Sequence, residues 1–142
     1  DGEKWPYIQY SDVSREGFDN TIHLNHLVKM AVAYKTSRSK YFNDKSLLRN
    51  IINGLRFWCD NDFIGENWWN NQIGTPYSMV ELMLVIGEEF QEELIVKSQE
   101  IINRADINSG GSRPGGDRIK VSSIAAKNQL FLNNQSEFEL IL

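Results

Sequence analysis

Residues 45–59, K-S-L-L-R-N-I-I-N-G-L-R-F-W-C, decide what kind of fold this chain takes. Leu47, Leu48, Ile51, Ile52, Leu55, Trp58 and Cys59 recur at steps of three and four, which winds them onto one stripe of an α-helix. Just ahead, Asn43 or Asp44 can accept hydrogen bonds from the free amides of the first turn. A helix with one apolar stripe needs a partner to cover it. The preceding stretch supplies one: Leu24, Leu27, Val28, Ala31 and Val32 predict a helix from about Asn20 to Lys35. These two helices make a first hairpin.

Working toward the C-terminus, the same period returns. Thr75 and Pro76 open a third helix, threonine as the cap and proline at the first position, where its missing amide is harmless. Ser78 with Glu81 offers a second cap one turn later. The helix runs through Met79, Leu82, Met83 and Ile86 to Gly87, expected to take the left-handed turn that closes it. The acidic run Glu88, Glu89, Glu92 and Glu93 reads as a solvated connection. Leu94, Ile95, Ser98, Ile101, Ile102 and Ala105 then form a fourth helix, which completes a second hairpin. Residues 108–117, N-S-G-G-S-R-P-G-G-D, are too rich in glycine for regular structure. A helical pattern resumes over Ile119–Leu132, with Ile124, Ala125, Leu130 and Phe131 as core, and a last apolar segment covers Phe138–Leu142. That segment has no polar stop signal, so the natural protein is expected to continue. The expected fold is all-α, three helical hairpins spaced by roughly 45 to 50 residues, a period that suits a helical repeat, solenoid or toroid.

Composition bounds the function. The chain of 142 residues has the length of one domain or a piece of one, and its 41% hydrophobic and 24% charged residues are those of a globular protein. A net charge of −4 argues against broad nucleic-acid binding, and no apolar run approaches the ~20 residues that span a bilayer. Neither nucleic acid nor membrane is an expected partner. The opening D-G-E-K-W-P is no signal peptide, and Cys59, the only cysteine, reads as a small buried residue that cannot form an intrachain disulfide.

The candidates for chemistry are few. In E-N-W-W-N-N-Q-I-G-T-P, residues 66–76, Trp68 and Trp69 lie side by side among Asn67, Asn70, Asn71 and Gln72. They could plug the gap between the hairpins. But the segment reads as a loop, a poor place to bury two indoles, and indole faces stack on sugar rings while amides bond their hydroxyls. A carbohydrate platform is the sharper reading. The glycine-rich stretch carries Arg113, Arg118 and Lys120, which suit an acidic ligand, or it is a plain surface connection. His23 and His26 share a helical face, yet no cysteine or carboxylate cluster completes a metal site, so a structural role is preferred and no metal or cofactor is expected. No catalytic triad or Cys/His pair can be argued from these spacings.

Four stretches, H-L-V-K-M-A-V-A-Y (26–34), G-L-R-F-W (54–58), N-W-W-N-N-Q-I-G-T-P (67–76) and S-G-G-S-R-P-G-G-D-R-I (109–119), together resemble the α-helical toroid of polysaccharide lyase family 8, nearest its chondroitin sulfate ABC lyase branch. The resemblance implies part of an incomplete α/α toroid in a secreted enzyme, periplasmic or extracellular, that cleaves a glycosaminoglycan by β-elimination. It implies that Trp68 and Trp69, with Asn67 and Asn70, form an aromatic patch beside the cleft. Where family members place an asparagine that holds the uronate, this chain has Asp117, so Arg113 or Arg118 is expected to neutralise the acid instead. The family's proton-transferring residues come from later helices, so this chain is expected to bind an acidic polysaccharide, to pack on the rest of its own polypeptide, and to be inactive alone. Two rivals stay open: part of an α/α-toroid glycoside hydrolase, and a non-catalytic scaffold for carbohydrate or protein.

Overall fold

The stripe on residues 45–59 forms the helix it predicts. In a computed structural model, which describes residues 2–108 and 115–133, helix α2 spans Lys45–Asn61, with Asp44 accepting hydrogen bonds from the Ser46 and Leu47 amides at 2.7 and 2.9 Å. The capping residue is thus Asp44, while Asn43 turns through a positive φ of 54° to bring the chain into position. Helix α1 covers Asn20–Lys35, α3 Thr75–Ile86, α4 Glu92–Ile102 and α5 Gly116–Phe131. No strand occurs among the described residues.

Helix α3 is the centre of the molecule. Its buried residues include Met79, Val80, Leu82, Met83 and Ile86, apolar on nearly every side, because α1, α4 and α5 all pack against it. Helix α2 closes the layer by packing on α1 and α4. One core results, joining Leu24, Leu27 and Ala31 of α1 to Ile51, Leu55 and Trp58 of α2 and to Ile101, Ile102, Val121 and Ile124 of α4 and α5. The first two of the predicted hairpins therefore stack through the central helix α3.

Several details differ from the sequence reading. Val32 is 48% exposed, because the buried ladder of α1 runs through Leu24, Leu27, Ala31 and Tyr34 and turns Val32 outward. Leu130 is 54% exposed; the covered face of α5 is Val121, Ile124 and Asn128, and Asn128 is buried because it exchanges two 2.9 Å hydrogen bonds with Gln99 of α4. Ala125, expected as core, is half-buried. Gly87 is right-handed, at φ −56° and ψ −28°, and leads into a short 3₁₀ turn, Gly87–Glu89. What requires glycine there is space: a Cβ would stand 2.4 Å from the ring of Phe131. The acidic run is only partly a solvated link, since Lys35 pairs with Glu88 and Glu89 at 2.8 and 2.9 Å, while Glu92 and Glu93 occupy the favourable first turn of α4. The apolar segment expected at Phe138–Leu142 lies outside the described residues.

The largest correction concerns residues 66–76. Trp68 and Trp69 are helical, and the chain continues from them through a wide π turn, Asn70–Gly74, straight into α3. Asn67, not Thr75, opens this helical run, its Oδ1 accepting the Trp69 amide at 3.1 Å. Thr75 is 1% exposed and its hydroxyl finds no partner among the described residues, so it caps nothing. Ser78 is likewise inside α3 and donates to Asn25 Oδ1 of α1 at 3.0 Å. The cause of the wide turn is Pro76. A proline inside a helix lacks an amide and crowds the carbonyl four residues back; the turn closed by Thr75 N–H on Asn70 O widens the helix one residue ahead of it.

Candidate functional site

The wide turn fixes where Trp69 goes. Five-residue spacing stacks residue 69 over residue 74, and Gly74 leaves the room the ring needs: a Cβ there would lie 2.8 Å from Trp69 Cζ3. The indole is then held from the other side of the molecule. Its Nε1–H donates to Asp117 Oδ1 of α5 at 3.1 Å, and the Lys120 ammonium stands 4.9 Å from the ring centroid. Trp69 is half-buried, so part of the ring remains open to solvent.

That open part forms a wall of a cleft of about 380 Å³ lined by Thr21 and Asn25 of α1, by Trp69, Asn70, Ile73 and Gly74 of the wide turn, by Tyr77 and Ser78 of α3, and by Lys120 of α5. The mixture is an aromatic floor with hydroxyls and amides around it, suited to a ligand with a flat apolar face and a polar rim. Tyr77 is steadied from behind, with the Lys127 ammonium 4.1 Å from its ring and paired to Glu81 at 2.7 Å. The Glu81 pairing, after burial, is the next influence on Lys127, and together with Tyr77 it leaves the ammonium with its pKa raised. Lys127 stays charged at any physiological pH.

The sequence-predicted residues divide here. Trp69 and Asn70 line the cleft, and Asp117 and Lys120 are brought to Trp69 across 48 or more positions of chain. Trp68 packs against the core, half-buried, and Asn67 works as the cap; neither lines the cleft. Arg118 is exposed and does not line it, and Arg113 lies outside the described residues. Asn71 is committed elsewhere, exchanging hydrogen bonds of 2.7 and 2.9 Å with the backbone of Gly65. Thr21, Asn25 and Tyr77 escaped the sequence reading. They are scattered polar or aromatic positions on two helices, and no local spacing unites them.

The two histidines do not form a shared site. His23 is fully buried, with Nε2–H donating to Gly54 O and Nδ1 accepting from the Tyr10 hydroxyl, both at 2.8 Å, while Tyr10 in turn accepts the Trp5 amide. Each ring nitrogen is satisfied by the neutral form. Burial, opposed in part by the Gly54 carbonyl, pushes its pKa down to about 4. Among the described residues no three His, Cys, Asp or Glu side chains are placed to hold a metal. Cys59 is half-buried beside Ser98, and burial pushes its thiol up to about 11.

The geometry so far defines a class: an all-helical domain whose central helix carries an aromatic, amide-lined cleft on its N-terminal turn. Comparison with known proteins narrows it. A family profile described as "Polysaccharide lyase family 8, N terminal alpha-helical domain" matches residues 3–124, and the chain belongs to that family. Among its relatives, Chondroitinase-AC of Pedobacter heparinus is 27% identical over 105 residues, covering 72% of this chain and 15% of the relative. Hyaluronate lyase HylB of Enterococcus faecalis is 31% identical over 80 residues, covering 53% of this chain and 8% of the relative. The chain thus spans less than a fifth of the length of these curated relatives. In solved structures, a chondroitinase AC lyase superposes with a TM-score of 0.85 at 22% identity over 99% of this chain and 21% of its own. A Paenibacillus xanthan lyase superposes with a TM-score of 0.73 at 25% identity over 83% of this chain and 12% of its own. The helices described above are therefore part of an α/α toroid.

Proposed function

We propose that this chain is one wall of the substrate cleft of a lyase that cleaves an acidic, uronic-acid-containing polysaccharide of the chondroitin or hyaluronan kind by β-elimination. The observation that carries the reading is the cleft on Trp69: an indole fixed by Asp117 and Gly74, flanked by Asn70, Asn25 and Tyr77, in a domain of a lyase family. The half-open indole face can stack on a pyranose ring, and the amides and hydroxyls around it can bond the sugar's hydroxyls.

The chain's part in the reaction is to bind and orient. β-Elimination removes the proton at C5 of the uronate and breaks the bond at C4, and charge builds on the carboxylate as the proton leaves. Among the described residues the cleft is lined by no histidine and no carboxylate that could take that proton. The base and acid would then come from another part of the same polypeptide. Because the substrate is a polymer too large to enter a cell intact, the enzyme would work in the periplasm or outside the cell. The test is titration of chondroitin oligosaccharide into the protein. Trp69→Ala should lower affinity by roughly tenfold, the scale of losing one aromatic anchor, without unfolding the protein. Unchanged affinity would return Trp69 to a packing role. Ultraviolet absorbance of the unsaturated product should stay flat with this chain alone, and turnover would show that it holds the catalytic groups.

A further inference from the structure

Among the nine described residues that line the cleft, Lys120 alone is charged. The other described cations of α5, Arg118 and Lys127, do not line the cleft. Lys127, two turns further along α5, is paired with Glu81 at 2.7 Å, and Arg118 is exposed without lining the cleft. No carboxylate among the described residues pairs with Lys120, whose ammonium instead sits over the Trp69 ring, 4.9 Å from its centroid. Asp117, one turn earlier on the same helix, is held by the indole N–H. An anion approaching the ring meets that carboxylate as a repulsive neighbour, so a cation on the same platform becomes a requirement for binding it.

We infer that Lys120 is the specificity-determining residue of the cleft, meeting the anionic oxygen, carboxylate or sulfate, of the sugar unit that stacks on Trp69. The inference rests on the carbohydrate reading above and gives Lys120 the neutralising role expected of Arg118, while Arg113 lies outside the described residues. Lysine suits the role because its three donors are not bound to one plane and its stem is flexible, so the ammonium can leave the ring and follow an anionic oxygen at the rim of a stacked sugar. Held on the ring beforehand, it keeps positive charge at the platform before any ligand arrives.

The experiment is calorimetric titration of the intact protein with chondroitin oligosaccharides of one length in three forms: sulfated, desulfated, and desulfated with the carboxyl groups reduced. Lys120→Gln should weaken binding of the anionic forms by roughly five- to tenfold, bind the neutral form as the unsubstituted protein does, and reduce the salt dependence of affinity. Lys120→Arg should keep most of the affinity, and Arg118→Gln should bind like the parent. A loss confined to the sulfated form assigns the contact to sulfate; an equal loss with the desulfated form assigns it to the carboxylate. Anionic oligosaccharides bound by Lys120→Gln as tightly as by the parent, or a loss as large for Arg118→Gln, would overturn the inference and leave the function standing. A parent protein that binds none of the three would overturn both. Lys120 is exposed, so the variants are expected to melt within a degree or two of the parent, and a thermal scan of each checks this.

Discussion

His23 shows how a residue type associated with catalysis is committed by its surroundings to packing. It is buried, edge-on to Trp5 at 4.7 Å, with both ring nitrogens bonded in the neutral form and its pKa pushed down to about 4. The unfolded chain takes up this proton near pH 6.5 and the native protein only near 4, so stability falls as pH drops through that window and levels off below it. The loss should be on the order of 3 kcal/mol, read from urea unfolding at stepped pH. His23→Gln should flatten that part of the curve. Cys59, its thiol raised to about 11, should react with iodoacetamide far more slowly in native than in unfolded protein. The burial of Cys59 was legible in the apolar stripe of α2, but the setting of His23 was not, because the groups responsible, Tyr10, Trp5 and Gly54, lie 13 or more positions away.

Elements were far more legible than residues. The period of apolar positions located the five α-helices of the described residues, and Asp44 caps α2 as its sequence suggests; Asp44→Ala should cost about 1 kcal/mol of stability in denaturant unfolding. What the period could not show was how an element is breached or ended. Thr75 and Pro76 carry the signature of a helix start, yet the helical run begins at Trp68, because the π turn absorbs the proline that would have broken it. Gly87 carries the signature of a helix stop, yet its glycine is demanded by Phe131, 44 positions later. Gly87→Ala should push that ring aside and loosen α5 from α3, at about 1–3 kcal/mol by thermal or chemical unfolding.

At the scale of the molecule, α3 is covered by three helices and α5 mainly by one, so native-state hydrogen exchange should be slowest in α3 and markedly faster in α5. Equal protection in both would mean that the five helices open as a single unit. The arrangement of helices and the membership of the cleft were the parts a sequence could not display: Asn25 meets Ser78, and Trp69 meets Asp117, only after the chain has folded. The amide cluster and paired tryptophans marked the neighbourhood, but although both tryptophans pack half-buried against the core, only Trp69 also lines the cleft. That division is governed by phase. Each residue of an α-helix turns its successor by about 100°, so removing any one residue from Asn70–Gly74 would restore an ordinary turn and swing the indole of Trp69 away from Asp117, Lys120 and the cleft while leaving Met79, Leu82 and Ile86 in register with the core. The cleft is therefore written into the chain partly as a number of residues, and a family member one residue shorter at this turn would keep the toroid and lose the platform.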